Sequence, residues 1–286
     1  MQVLFIVLIV LCALVLLWLF ATRPRLSRNG MRELIRDHRY IAHRGLHDET
    51  IPENSLEAFA RAADAGYGIE LDVQITADGV PVIFHDDWLD RMCGCKGGIR
   101  DFTLAELQAL PLGGRDDVHL PTFEDVLKTV GGRVPLIVEI KAGLPEWPET
   151  LKAAVALLDV YDGPYCIESF NPLVLRWLRH HRPAVLRGQL CARYRAWKIK
   201  RSFAQVLAEW FLTNFLARPD FIAYDFHHVH TLPFRLVSHV FPECVYAAWT
   251  PASPEDEEAA GRVFDVMIFE HYLPKEPERP ETPAEK

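Results

Sequence analysis

Glu70 and Asp72 stand two residues apart in the apolar run YGIELDVQI (67–75), and Glu139 and Lys141 repeat the spacing in RVPLIVEIK (133–141). Side chains two apart on a strand share a face, so each pair projects in one direction. Buried charges are costly unless they pair or hold an ion. Three converging carboxylates, Glu70, Asp72 and Glu139, offer the oxygen-rich setting of one hard divalent cation, Mg2+ or Ca2+. The alternative is a structural ion-pair network between Lys141 and the acids. His43 in YIAHRG (40–45) and His85 in VPVIFHD (80–86) each close an extended run. Imidazoles change charge near neutral pH, so such a pair can serve as base and acid. Arg44 and Lys141 add a cationic clamp, a planar guanidinium and a point charge, suited to phosphate oxygens. A metal, two imidazoles and two cations together describe phosphodiester cleavage.

The elements that must position these residues alternate. Strand-like runs begin near residues 40, 67, 133, 164, 185, 220, 244 and 263, and helical patterns lie between them. Helices are expected over 55–66, over 103–110 opened by Thr103 with Glu106, over 122–130 opened by Thr122 with Asp125, and over 148–161. Near-continuous apolar strands alternating with helices imply a parallel sheet covered on both faces. Eight such units in about 250 residues is the size of a TIM (β/α)8 barrel. A doubly wound open sheet is the runner-up, but no G-x-G-x-x-G follows the first strand.

The chain opens on VLFIVLIVLCALVLLWLFA (3–21), uncharged and without Pro or Gly. That length suits one transmembrane helix, and the missing basic start and small-residue cleavage site argue against a signal peptide. Residues 1–21 are therefore expected to be a membrane anchor and 22–37 a basic linker. The catalytic barrel is expected over 38–274 and a disordered Pro-rich tail over 275–286. Arg23, Arg25, Arg28, Arg32, Arg36 and Arg39 follow the span, which places the barrel in the cytoplasm, at the cell membrane. The six cysteines show no framework spacing, in keeping with a reducing compartment. With 31 basic against 39 acidic residues the net charge is −8, which argues against a nucleic-acid partner. No obligate protein partner is evident; the bilayer and the substrate are the partners expected.

Taken in order, the motifs resemble those of the glycerophosphodiester phosphodiesterases. His43-Arg44-Gly45 is followed by Pro52-Glu53-Asn54-Ser55, Glu70-Leu71-Asp72-Val73 and His85-Asp86. Leu120-Pro121-Thr122, Glu139-Ile140-Lys141, Ser169-Phe170 and Trp249-Thr250 complete the series. The resemblance covers about residues 38 to 274. It implies a TIM barrel that hydrolyses glycerophosphodiesters to an alcohol and glycerol 3-phosphate, with His43 and His85 as acid and base. It also implies Glu70, Asp72 and Glu139 as metal ligands, and Arg44 and Lys141 as phosphate contacts. The chain departs from the pattern at the last strand, where Ile268-Phe269-Glu270-His271 replaces a Thr-Asp-x-Pro stretch. That departure bears on barrel closure or substrate contacts at this end. Two other readings stand beside this one: a phospholipase C-like phosphodiesterase, and a catalytically silent membrane-tethered barrel that binds. The complete set of histidines, acids and cations disfavours the silent reading.

Weaker signals have bland alternatives. Trp249 would stack on the glycerol unit or simply pack, and Glu168 would line the pocket or be solvated. His227-His228-x-His230 lacks the partners of a zinc site, and Cys93 and Cys95 read as two reduced loop thiols. The stretch 194–218 interleaves Arg195, Lys198, Lys200 and Arg201 with Trp197, Phe203, Trp210, Phe211 and Phe215. It is either an interfacial segment on the active-site side, favouring lysophospholipid substrates, or an ordinary barrel helix.

Overall fold

A computed structural model describes residues 1–25, 30–141, 143, 146–194 and 202–274. Nine strands form one sheet: β1 Tyr40–His43, β2 Gly68–Ile75, β3 Pro81–Ile83, β4 Leu136–Ile140, β5 Tyr165–Ser169, β6 Arg187–Cys191, β7 Phe221–Asp225, β8 Val245–Trp249 and β9 Val266–Phe269. Eight of them run parallel in the order β1-β9-β8-β7-β6-β5-β4-β2, and β2 pairs back onto β1. The sheet is a closed (β/α)8 barrel, as the strand count implies. β3 stays outside the ring, antiparallel on the far end of β2, with Val73 opposite Ile83.

Local chemistry sets the helix starts. Ser55, Thr103 and Thr122 cap the helices Leu56–Asp64, Leu104–Gln108 and Phe123–Val130, each side chain accepting from a backbone N–H three residues on. Glu106 returns the bond to Thr103 N and completes a capping box. Between strands and helices lies a continuous apolar layer that includes Phe59, Leu71, Val73, Phe123, Val138 and Leu151, all fully buried. β2 and β4 are buried along nearly their whole lengths, as strands covered on both faces must be.

The barrel's floor comes from the chain ahead of β1. Within the stretch expected to be a linker, the helix Gly30–Leu34 and the residue after it bury Met31 and Ile35. They join the barrel's interior apolar cluster with Ile41, Ile137, Leu190, Ala223, Val245 and Ile268, which belong to six different strands. A side chain at position 30 would stand 2.8 Å from Leu186, so glycine lets the helix sit close.

The helix Gln2–Thr22 is long and apolar enough to cross a membrane. Residues 2–17 of it are all exposed, so it projects clear of the barrel. Its end is seated. Asn214 Nδ2 donates to Thr22 O (2.9 Å), Arg218 Nη1 to Phe20 O (3.0 Å) and Arg23 O (2.9 Å), and Arg25 N to Pro219 O (2.7 Å). Pro219 lies two residues before β7, so the seat lies at the amino ends of the strands.

Within 194–218, positions 195–201 lie outside the described residues. The remainder forms the helices Phe203–Glu209 and Asn214–Ala217, with Phe211 and Asn214 buried and Phe203 and Phe215 exposed. Its second half therefore runs to the seat of the N-terminal helix, away from the carboxyl ends of the strands. The Pro-rich tail 275–286 also lies outside the described residues.

Candidate active site

At the carboxyl end of β1, the chain turns sharply through Arg44 (φ 56°) and Gly45 (φ 81°). A Cβ on Gly45 would lie 2.9 Å from the Ala58 backbone, so only glycine fits. The turn aims Arg44 N at Glu70 Oε2, 3.2 Å away. Register then lines up the acids around the rim: His43 lies beside Glu70, Asp72 beside Glu139, and Glu139 beside Glu168.

Glu70, Asp72 and Glu139 each offer an oxygen within 4.8 Å of the other two, and all three are buried. Burial drives Glu70 well above the usual carboxyl range, and the charges of Asp72 and Glu139 push the same way. Glu139 is raised to about 7, by burial first and by Asp72, against the pull of Lys141. Asp72 is held well below its usual value, since Lys141, His85 and Arg44 overcome the effect of its burial. Glu168, also buried, is raised by burial and by Glu139 and Asp72, and its Oε2 has no hydrogen-bond partner among the described residues. Lys141 Nζ lies 3.4 Å from Asp72 and 3.5 Å from Glu139. Arg44 bonds Glu53 at 2.8 Å and lies 3.7 Å from Asp72. The ion pairs of the alternative reading are thus present, yet two cations do not neutralise four buried carboxylates. Fully ionised, the four would carry surplus negative charge, which protons offset without an ion, and the convergent oxygens suit a divalent cation.

Both histidines are oriented by carboxylates. His43 Nδ1 lies 2.6 Å from Glu270 Oε2, and His85 Nδ1 lies 2.7 Å from Asp86 Oδ1. An ionised carboxylate only accepts, so each Nδ1 carries a proton and each Nε2 is left for the cavity. His43 Nε2 is 3.9 Å from Glu70. Burial lowers His85, with Asp72 opposing, which favours its neutral form. Glu270 is lowered to about 2: burial pushes it up, but the bond to His43 and the charges of His43, His271 and Arg44 together outweigh that. Asp86 is braced by Arg91, which also forks onto Glu53 at 2.6 and 2.8 Å. Asn54, itself at φ 56°, donates to Asp72 at 2.9 Å.

These groups surround a cavity of about 800 Å³ at the carboxyl ends of the strands, the usual place for a barrel's chemistry. Its lining includes His43, Arg44, Glu70, His85, Glu139 and Lys141. Trp249 also lines it, packed edge-on against Phe170 at 5.9 Å. The expected site residues meet here, with Asp72 just beneath the surface. Glu270 and Arg91 were not singled out by spacing or residue type. Glu270 sits in the segment that departs from the family pattern, and β9 closes on β1 there in register. Elsewhere, His227 and His228 both turn Nδ1 to Asp225, and all cysteines are free. Among the described residues the acid triad is the group able to hold a metal.

The pattern of the glycerophosphoryl diester phosphodiesterase family matches residues 43–222. A glycerophosphodiester phosphodiesterase of Caldanaerobacter subterraneus subsp. tengcongensis is 35% identical over 159 residues, 52% of this chain and 65% of that protein. Glycerophosphodiester phosphodiesterase 1 of Bos taurus is 31% identical over 247 residues, 74% of each chain. The chain thus spans just under two thirds of the bacterial relative and about three quarters of the bovine one. Among solved structures, a phosphodiesterase of Oleispira antarctica, in complex with the product sn-glycerol-3-phosphate, shares the fold at a TM-score of 0.66. It is 24% identical, over 81% of this chain and 92% of its own. A Thermotoga maritima glycerophosphodiester phosphodiesterase matches at 0.61 with 26% identity, over 81% of this chain and 94% of that one. The chain belongs to the glycerophosphoryl diester phosphodiesterase family.

Proposed function

We propose that this chain hydrolyses glycerophosphodiesters to an alcohol and glycerol 3-phosphate with the help of one divalent cation, Mg2+ or Ca2+. The observation that carries the reading is the buried triad of Glu70, Asp72 and Glu139 beside two imidazoles, each held by its own carboxylate. Glu70, Asp72 and Glu139 would hold the ion, which when bound supplies charge stabilisation to the phosphoryl oxygens. Arg44 and Lys141 line the cavity and add positive charge where the phosphate must lie. The neutral imidazole takes a proton from the attacking hydroxyl, and the other, protonated on Nε2, gives one to the departing alkoxide. Burial of His85 suits it to the first role, leaving the second to His43. Trp249 offers an apolar wall against which a glycerol unit can rest.

The helix Gln2–Thr22 supports a single-span anchor in the cell membrane. The arginines that follow it support a cytoplasmic barrel. Because that helix is seated at the amino ends of the strands, the catalytic mouth opens at the other end of the barrel. This placement favours diffusible glycerophosphodiesters over lysophospholipids held in the same bilayer. The test is a product assay on the purified full chain with glycerophosphocholine, glycerophosphoethanolamine and lysophosphatidylcholine, with and without chelator. Release of glycerol 3-phosphate that chelation abolishes and Mg2+ or Ca2+ restores is expected. Full turnover in excess chelator would reject the metal.

A further inference from the structure

A second cavity, of about 560 Å³, opens where the N-terminal helix meets the barrel. Its lining includes Arg23, Arg25, Arg179, Arg187 and Arg218. One carboxylate faces them among the described residues, Asp220, 3.7 Å from Arg25 and 3.6 Å from Arg187. Several of these guanidiniums are held by backbone carbonyls rather than by acids. Arg25 donates to Pro183 O, Arg179 to Phe215 O and Leu216 O, and Arg187 Nε to Ala217 O. Such bonds fix direction without cancelling charge. Arg187 is 2% exposed, and its Nη1 has no hydrogen-bond partner among the described residues. Five cations, four of them held by backbone carbonyls, against one acid make a cradle for an anion with several oxygens, the geometry that guanidinium forks match in phosphates.

Position selects the source of that phosphate. The cavity adjoins the last turn of Gln2–Thr22, whose preceding residues project free of the barrel. Beside it Phe20 and Phe215 pack at 6.3 Å, both largely exposed, and Arg218 lies over Phe20 at 4.8 Å. Apolar rings next to a basic pocket at the end of a span match the boundary between acyl chains and headgroups.

We infer that this arginine cavity binds the phosphate of an anionic phospholipid headgroup in the leaflet that the barrel faces. The site lies at the opposite end of the barrel from the catalytic cavity. The inference takes from the proposed function only that Gln2–Thr22 spans the bilayer. The bound headgroup locks the anchor to the floor of the barrel and so fixes the barrel's tilt on the membrane.

The test titrates the full chain, purified in a zwitterionic detergent, with dioctanoyl phosphatidylglycerol, dioctanoyl phosphatidylcholine or inorganic phosphate, following the thermal midpoint. Phosphatidylglycerol should raise the midpoint, whereas the other two at equal concentration should not. R25Q/R179Q should weaken phosphatidylglycerol binding about fivefold per arginine removed, and R187M should abolish the shift. Should R187M not fold, R25Q/R179Q decides alone. Hydrolysis of glycerophosphocholine should be unchanged in R25Q/R179Q, and resistance of the full chain to carbonate extraction reports the span separately. An equal shift with phosphatidylcholine, an equal shift with free phosphate, or an undiminished shift in R25Q/R179Q would overturn the lipid site.

Discussion

At the scale of single residues, the site works by holding charge in an unfavourable place. Glu70 and Glu168 are driven well above the ordinary carboxyl value of 4.5, and Glu139 reaches about 7. A folded chain without metal therefore keeps protons that the unfolded chain has released. Its stability falls as pH rises from about 4.5 through 7. Asp72 runs oppositely, its share being fully present above 3.8 and constant across that window. A divalent ion replaces the lost protons, so Mg2+ or Ca2+ should raise the thermal midpoint more at pH 8 than at pH 5. A shift that is equal at both would count against the triad. Glu70→Gln should lose about a hundredfold or more in activity and most of the metal-dependent shift. His43→Ala and His85→Ala should each cost roughly two to four orders of magnitude, and the rate of the parent chain should be bell-shaped in pH. Glu270 acts through His43, as a positioning residue. Glu270→Ala should slow turnover about a hundredfold, and Glu270→Gln, which keeps an acceptor, should recover part of that loss. Equal activity in E270A and the parent chain would show that the 2.6 Å bond has no catalytic role.

At the scale of elements, period-two spacing was enough to put Glu70 with Asp72 and Glu139 with Lys141, because strand geometry leaves no other face. The eight barrel strands were legible for the same reason: buried parallel strands are nearly continuous apolar runs. Glu270 was not legible. A carboxylate just after a strand reads as solvated, and its partner lies 227 residues away. The floor was hidden as well. Met31 and Ile35 sit in a short basic stretch, and their burial follows only once six strands form a ring for them to close. Met31 is 1% exposed, so Met31→Ala should cost about 2–5 kcal/mol, the range for truncating a buried methionine. Chemical denaturation of the full chain in detergent measures this. A loss below about 1 kcal/mol would mean that the floor collapses around the gap.

At the scale of the whole molecule, the helix Gln2–Thr22 and the catalytic mouth occupy opposite ends of the barrel. Protease added outside intact cells should leave the barrel uncut if the arginine-rich flank faces the cytoplasm. Cutting there would reverse the topology. A truncation that begins at Gly30 retains the floor, whereas one that begins at Arg39 removes Met31 and Ile35 and should give a barrel that unfolds at a lower temperature. The closing pair of strands, β1 on β9, has a further consequence in time. During synthesis the N-terminal helix and β1 emerge first, and β9 emerges last, with Tyr40 and Met267 as partners. Pairings this distant in sequence form slowly, because the intervening loop must be closed before any contact rewards it. The bond from Glu270 to His43 forms across the same seam. A nascent chain thus carries Glu70, Asp72 and Glu139 well before His43 has its carboxylate. Catalytic competence arrives with the last strand.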